Sequence, residues 1–415
     1  MKRVVITGIG VISPIANNVT DFWNGLTNGV CGIDFIKSFD ASTVSAKLAA
    51  EVKDFNPNDY DIDKSLMRHS DLYAQYALAA ASMAMKDCGL EVNAEGSNGI
   101  APERLGSYIG SGVGGIQTFC NEHTVLMEMG PNRISPFFIP MMISNMAAAN
   151  VAIAFHAQGP CLPVVTACAT STHAVGEAFL AVAMGRADAV ITGGSEAAVC
   201  PMAIGGFCSC KALSKSTDPL EASIPFDARR NGFVLGEGSG VLILEEYEHA
   251  KARGAKIYAE VAGYGNTCDA HHYTAPHPSG EPQSRSIRQA LDMAGYKGEN
   301  LYINAHGTST PLNDKSETLA IKLALGEEEA TRAVISSNKS MIGHMLGAAG
   351  AVELAATALT LKNGVVPPTL GLTHPDLDCD LDYVPLTARQ WQANMAVSNS
   401  FGFGGHNACV ALRKI

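Results

Sequence analysis

The chain has 415 residues, 47% of them hydrophobic and only 17% charged, which argues against disorder and calls for a large buried core in two lobes. With 29 Lys and Arg against 40 Asp and Glu, its net charge of −11 argues against nucleic acid or anionic membrane as main partners. Eleven cysteines without a C-x-x-C pair fit neither a zinc ribbon nor a disulfide framework, and their odd number rules out complete pairing, so reduced thiols and a cytoplasmic location are expected.

In chain order, MKRVVITGIG runs into a β-like segment at Val4–Thr7 with no signal-peptide pattern ahead of it. The glycine-rich starts TGIGVIS at Thr7 and GSGVGGI at Gly110 fail as dinucleotide fingerprints: in the first, Ser13 stands where the third glycine belongs and Pro14 follows. Tight turns are the expected use of these glycines. At Thr166, TACATST ends a β-branched run on Cys168 and leads into a small-residue helix, expected over Thr170–Met184. A thiol at that junction would face free backbone N–H groups, which favour a thiolate and can bind an oxyanion; the alternative is a buried small hydrophobe.

Further β-like runs follow at Ala189–Thr192 and Gly240–Leu244, and the charged stretch His249–Lys256 suggests a divide into residues 1–250 and 251–415. NAHGTSTPLND places His306 in a polar turn after a β-like LYI. From Ala333, AVISSNKSMIGHMLGAAGAVELAATALTLKNGVVPP echoes the segment from Pro163, which points to a duplication. Its apolar tract Met345–Leu361 carries Glu353 at its middle, so it is a poor membrane span and reads as a helix buried in protein from His344 to Leu361. His344 at a helix start would stay neutral. Glu353 needs Lys339, a histidine or a bound cation as partner, or else stays protonated on backbone. Helices apolar all round belong inside, so two sheets sandwiching two central helices are expected. SNSFGFGGHN, from Ser398, reads as a glycine-rich loop in which Phe401 and Phe403 either plug an apolar tunnel or pack in a turn.

Together TACATST, NAHGTST, NKSMIGHMLGAAGAVE and SNSFGFGGHN resemble the β-ketoacyl-(acyl carrier protein) synthases of type II fatty acid synthesis, over essentially the whole chain. SPFFIP, PFDARRNGFVLGEGSG and LEEYEHAKARGAKIYAE look most like the synthase II branch. The resemblance implies an α/β, thiolase-like, five-layer αβαβα sandwich of two related halves, working as a cytoplasmic homodimer on acyl- and malonyl-phosphopantetheine held by an acyl carrier protein. It implies Cys168 as nucleophile, His306 and His344 on the malonyl thioester carbonyl, and Lys339 and Glu353 ordering the site. The backbone N–H groups of Cys168 and Phe403 would form the oxyanion hole, Thr308 and Thr310 would contact pantetheine, and Phe401 and Phe403 would form a gate. Val113, Phe207 and Leu346 match acyl-pocket positions.

No cofactor is implied for the chemistry. Asn304, Glu353, Ser398 and Asn399 match positions that hold a structural Na+ or K+ in the family. The chain departs from the family at His69 and Ser70, where a basic residue and Asp are frequent, so carrier docking is expected to rest on Lys64, Arg68, Arg133 and Lys211. Ile342 stands where Thr is common. Active-site motifs do not separate a fatty acid synthase from the ketosynthase subunit of a type II polyketide or polyene pathway; an intact Cys168 argues against a non-catalytic chain-length factor, and histidines in place of a second cysteine argue against a thiolase.

Overall fold

Runs of Val, Ile and Leu become strands because branched side chains fit a pleated, buried surface. In a computed structural model, which describes residues 1–92 and 99–415, nine such strands join in one mixed sheet. They are β1 (Val4–Ile12), β2 (Leu105–Gly110), β3 (Ala189–Glu196), β4 (Gly238–Glu246), β5 (Ala259–Cys268), β6 (Leu301–Asn304), β7 (Val334–Ser336), β8 (Met395–Gly402) and β9 (His406–Arg413). Their order is β7-β6-β8-β9-β5-β1-β4-β3-β2. The two expected sheets are the two halves of this one, β2, β3, β4 and β1 against β5, β9, β8, β6 and β7, joined at an edge where Val4–Ile6 of β1 pair antiparallel with Ala259–Val261 of β5.

Six helices complete the layers: α1 (Leu72–Cys88), α2 (Met146–Ala154), α3 (Thr170–Ala183), α4 (Glu281–Ala294), α5 (Pro311–Leu325) and α6 (Ala349–Asn363). Helices α3 and α6 touch strands of both half-sheets, whereas α1 and α2 cover β1–β4 from outside and α4, backed by α5, covers β5, β8 and β9. Three apolar cores follow from this layering. The central one holds Val175, Phe179, Val352 and Leu354, the first outer one Leu78, Val151 and Ile191, and the second outer one Ile287, Ile321 and Val397. Every residue of α6 from Ala349 to Leu361 is buried, as its all-round apolar sequence requires. Among the described residues no helix is long and apolar enough to cross a membrane.

The glycines of β1 are not in turns. Gly8 and Gly10 lie within the strand, and a methyl on either would overlap the carbonyl oxygens of Ala84 and Ala80 on α1. The other half repeats the device: methyls on Gly263 and Gly265 of β5 would overlap the carbonyls of Ala290 and Ser286 on α4. Close strand-to-helix approach, not backbone freedom, explains these four residues, and the repetition agrees with a duplicated origin.

Two helix starts matter for the site. α3 begins at Thr170 as expected. α6 does not begin at His344: Gly343 at φ 66° turns the chain, a tight turn occupies Leu346–Ala348, and the helix proper starts at Ala349. His344 is fixed instead by backbone bonds to β4's approach, its N–H donating to Val234 O at 2.7 Å and its carbonyl accepting from Gly236 N at 2.9 Å.

Gly10→Ala is expected to lower stability by about 1–3 kcal/mol through overpacking against α1. Gly205→Ala, at an open helical position, is expected to be neutral or slightly stabilising. Chemical denaturation of both variants checks the contrast.

Candidate active site

Cys168 sits in a tight turn, Ala167–Ala169, just before α3. Ala167 is held at φ 51°, a conformation costly for a residue with a Cβ, and it aims the next side chain inward. The residues before it, Pro163–Thr166, join no sheet, and Cys161 just ahead of them bridges to Ser107 of β2. The end of β8 closes on this turn, since a methyl on Gly402 would lie 3.1 Å from Cys168 N and 2.8 Å from Thr166 O.

The thiol is not a thiolate at rest. Burial pushes it up to about 11, against the opposing pull of the Phe403 N–H, its own N–H and the Lys339 charge. The helix-start expectation fails here because desolvation outweighs the donors, and Glu196 nearby adds negative charge. The donors remain aimed at the sulfur, which is oxyanion-hole geometry.

Two histidines face each other beside the thiol, ring centroids 5.4 Å apart at 85°. Burial first, then the Lys339 charge, holds both well below the usual histidine range, so both are neutral. His306 Nδ1 and both ring nitrogens of His344 lack any partner, so the neutral His344 ring keeps one N–H unpaired that an incoming oxygen can accept. Phe233 and Phe401 pack edge-on against His344 and His306. Lys339, 1% exposed, pairs with Glu353 from the middle of α6. Burial raises the Glu353 carboxyl and the lysine draws it back down, so this ion pair is the partner its sequence position demanded.

A funnel of about 360 Å³ leads from solvent to these groups. Cys168, His306, His344, Thr308, Thr310 and Phe401 line it, with the two threonine hydroxyls 2.9 Å apart. A second, smaller cavity of about 80 Å³ lies beyond, walled by Val113, Phe207, Phe233 and Leu346. Cys168, Phe233 and Phe403 line both, so these three residues mark where the funnel and the inner cavity adjoin. The setting of Phe403 is a hairpin, not a long loop: β8 and β9 pair up to Gly402–His406, leaving Phe403–Gly405 as the turn, with Gly404 and Gly405 at φ 86° and 76°.

Of the four basic residues, Lys211 lines the funnel mouth. Lys64 and Arg68 lie exposed on the short helix Lys64–Arg68, whose neighbour His69 stacks on Phe137, and Arg133 lies exposed in the turn just before that phenylalanine. These three are outside the funnel lining. Asn304 and Ser398 are register partners on β6 and β8, with Asn399 next along and α6 packed over both strands. Asn304 Oδ1, Ser398 Oγ, Asn399 Oδ1 and Glu353 Oε2 are all buried without a partner. Such oxygens suit a hard monovalent cation; among the described residues no three His, Cys, Asp or Glu side chains are grouped to hold a metal by themselves.

Two further carboxylates escaped the sequence reading. Glu317 on α5 accepts from the N–H groups of His306 and Gly307, both at 2.8 Å, and from Asn399, and burial pushes it up to about 7. Glu196, ending β3, accepts from Ser111 Oγ and from the N–H groups of Gly112, Val113 and Gly347. Glu196 closes an otherwise uncharged buried strand, whereas Glu317 shares a buried polar face with Asn313, Asp314 and Ser316, so the inward orientation of each is legible only once the faces are known.

The family model for the N-terminal domain of β-ketoacyl synthases matches residues 1–250, and that for the C-terminal domain matches 258–373. The chain is 49% identical over 415 residues to a 3-oxoacyl-(acyl-carrier-protein) synthase 2 of Synechocystis sp., covering 100% of this chain and 98% of the relative. It is 49% identical over 414 residues to the protein of that name from Staphylococcus aureus, with the same coverage. Among solved structures, a type II polyketide ketosynthase in complex with its acyl carrier protein and a hexaketide matches with TM-score 0.89 and 36% identity, covering 100% of this chain and 99% of that one. A β-ketoacyl synthase from Burkholderia phymatum matches with TM-score 0.90 and 33% identity over 100% of both chains.

The raised thiol gives a direct check. Because burial disfavours the charged form, the rate at which iodoacetamide modifies Cys168 should keep climbing above pH 9, by about tenfold per unit, where an ordinary thiol levels off. A plateau near pH 9, read by peptide mapping, would show that the donors and Lys339 prevail instead.

Proposed function

The chain belongs to the β-ketoacyl synthase family, and from that premise we propose that it lengthens an acyl chain by two carbons through decarboxylative condensation with a malonyl thioester on an acyl carrier protein. The observation that carries this reading is one funnel in which a thiol under two N–H donors meets two neutral histidines with unpaired ring nitrogens.

In the first stage the Cys168 sulfur attacks the acyl thioester carbonyl. Charge on that oxygen is met by the N–H groups of Cys168 and Phe403, and the carrier's thiol leaves with the proton from Cys168. The acyl chain lies in the inner cavity against Val113, Phe207 and Leu346. In the second stage malonyl-carrier enters the funnel with its pantetheine along Thr308 and Thr310. Its thioester oxygen accepts N–H donation from His306 and His344, carbon dioxide departs, and the resulting enolate carbon attacks the Cys168 thioester. The carbon–carbon bond forms as the Cys168 sulfur leaves and takes up a proton. Neutral imidazoles suit this role, because each is a donor that stabilises an enolate without surrendering a full charge to a dry site. Lys339 and Glu353 order the histidines from behind.

Four exposed cations, Lys64, Arg68, Arg133 and Lys211, supply local positive charge for an acidic carrier although the chain is net acidic. The orphaned oxygens of Asn304, Glu353, Ser398 and Asn399 would hold a structural Na+ or K+, which supplies charge balance beside Glu353 and ties β6 to β8. A second copy of the chain would complete the fold as a homodimer: Leu162, Val165, Ile139 and Ile153 are large apolar residues left exposed near β2's side of the sheet, where a partner would cover them. Free cysteines throughout suit a reducing cytoplasm. Fatty acid elongation is preferred to a polyketide pathway because identity to the synthase 2 relatives, 49%, exceeds the 36% to the polyketide ketosynthase.

His306→Ala and His344→Ala are each expected to slow formation of the elongated product by about 100-fold or more, with a smaller effect on acyl transfer to Cys168. Product assays with acyl- and malonyl-carrier check this; condensation at the wild-type rate in both variants would overturn the mechanism.

A further inference from the structure

Glu196 is fully buried, and no cation pairs with it among the described residues. A carboxylate in that position is tolerated only if donors replace water, and four do so. Oε1 accepts from Ser111 Oγ at 2.8 Å and Val113 N at 3.1 Å; Oε2 accepts from Gly112 N at 2.8 Å and Gly347 N at 2.9 Å. The two segments it joins are far apart in sequence. One carries Val113, the other Leu346, and both side chains line the inner cavity on Cys168.

The joint is tight. A methyl on Gly347 would overlap Gly112 N and lie 2.8 Å from Glu196 Oε2, so the segments touch backbone to backbone around the carboxylate. Leu346 itself is held at φ 45°, which a side-chain-bearing residue keeps only when its neighbours are fixed. The distance between Val113 and Leu346 is therefore set by one carboxylate and not by packing alone.

We infer that Glu196 is a positioning residue that sets which acyl chains the inner cavity admits, by clamping the Val113 and Leu346 walls through four hydrogen bonds. This rests on the reading of that cavity as the acyl-chain site. A glutamine keeps the shape but turns an NH2 toward two of the four donors, so one wall is released while the strand and its neighbours stay in place. Ser111→Ala removes one bond of the four and leaves the carboxylate.

The test is acyl transfer to Cys168 from a series of saturated acyl-carriers of increasing length, followed by intact-mass detection and kcat/KM for each length. In wild type the series should show a preferred length. In Glu196→Gln the ratio between the preferred chain and the next longer one should fall by about tenfold, the order of discrimination a shaped apolar pocket supplies. Ser111→Ala should move the same ratio in the same direction by about threefold, and it carries the test if Glu196→Gln does not fold. A merely structural role would lower every length by a common factor, and that result, or an unchanged profile in both variants, would overturn the inference. Failure of wild type to load any chain on Cys168 would instead bring down the reading of the cavity, and this inference with it.

Discussion

The site depends on the exclusion of water from ionisable groups. Cys168, His306, His344, Lys339 and Glu353 all lie in a layer where a charge survives only beside a partner. One ion pair, Lys339 with Glu353, is the charge this layer supports by direct pairing, and its lysine helps to keep both histidines neutral. The protons then sit where condensation needs them: on the thiol until a thioester arrives, and on imidazole nitrogens that donate without carrying charge.

That layer exists because the two central helices are sandwiched by both half-sheets, and their starts meet. Ser171 Oγ accepts from Ala351 N at 2.9 Å, tying the first turn of α3 to that of α6, and Thr172 Oγ1 lies 2.6 Å from Ser400 Oγ on β8. Cys168 reaches this point from one half of the chain, and His306, His344 and the Phe403 hairpin reach it from the other. Duplication thus has a chemical consequence: each half alone presents only part of the constellation.

Much of this was legible in the sequence, for reasons that can be named. Cys168, His306 and His344 stand out as reactive types inside glycine- and threonine-rich turns, and the burial of α6 follows from a helix with no polar face. The same reading misplaced His344 at a helix start, because the turn at Gly343 and Leu346 depends on Val234 and Gly236, just before β4, holding His344 from outside the local sequence. It took Gly8 and Gly10 for turns, since a helix carbonyl some seventy residues away cannot be seen from the strand. It expected a thiolate at Cys168, counting nearby donors but not the depth of burial. Glu196 was invisible because Gly112, Val113 and Gly347 come to it from distant segments, and Glu317 because the turn at His306–Gly307 folds back on α5 in a way the local pattern does not show.

The central claim, that burial fixes the protonation of the site, is tested most directly by nuclear magnetic resonance of protein labelled with 15N in its histidine rings, assigned with His306→Gln and His344→Gln. The account predicts that the His306 and His344 ring signals remain those of neutral imidazole between about pH 8 and pH 6, with no inflection near the ordinary value of about 6.5. Titration of either ring near 6.5 in the folded protein would contradict it.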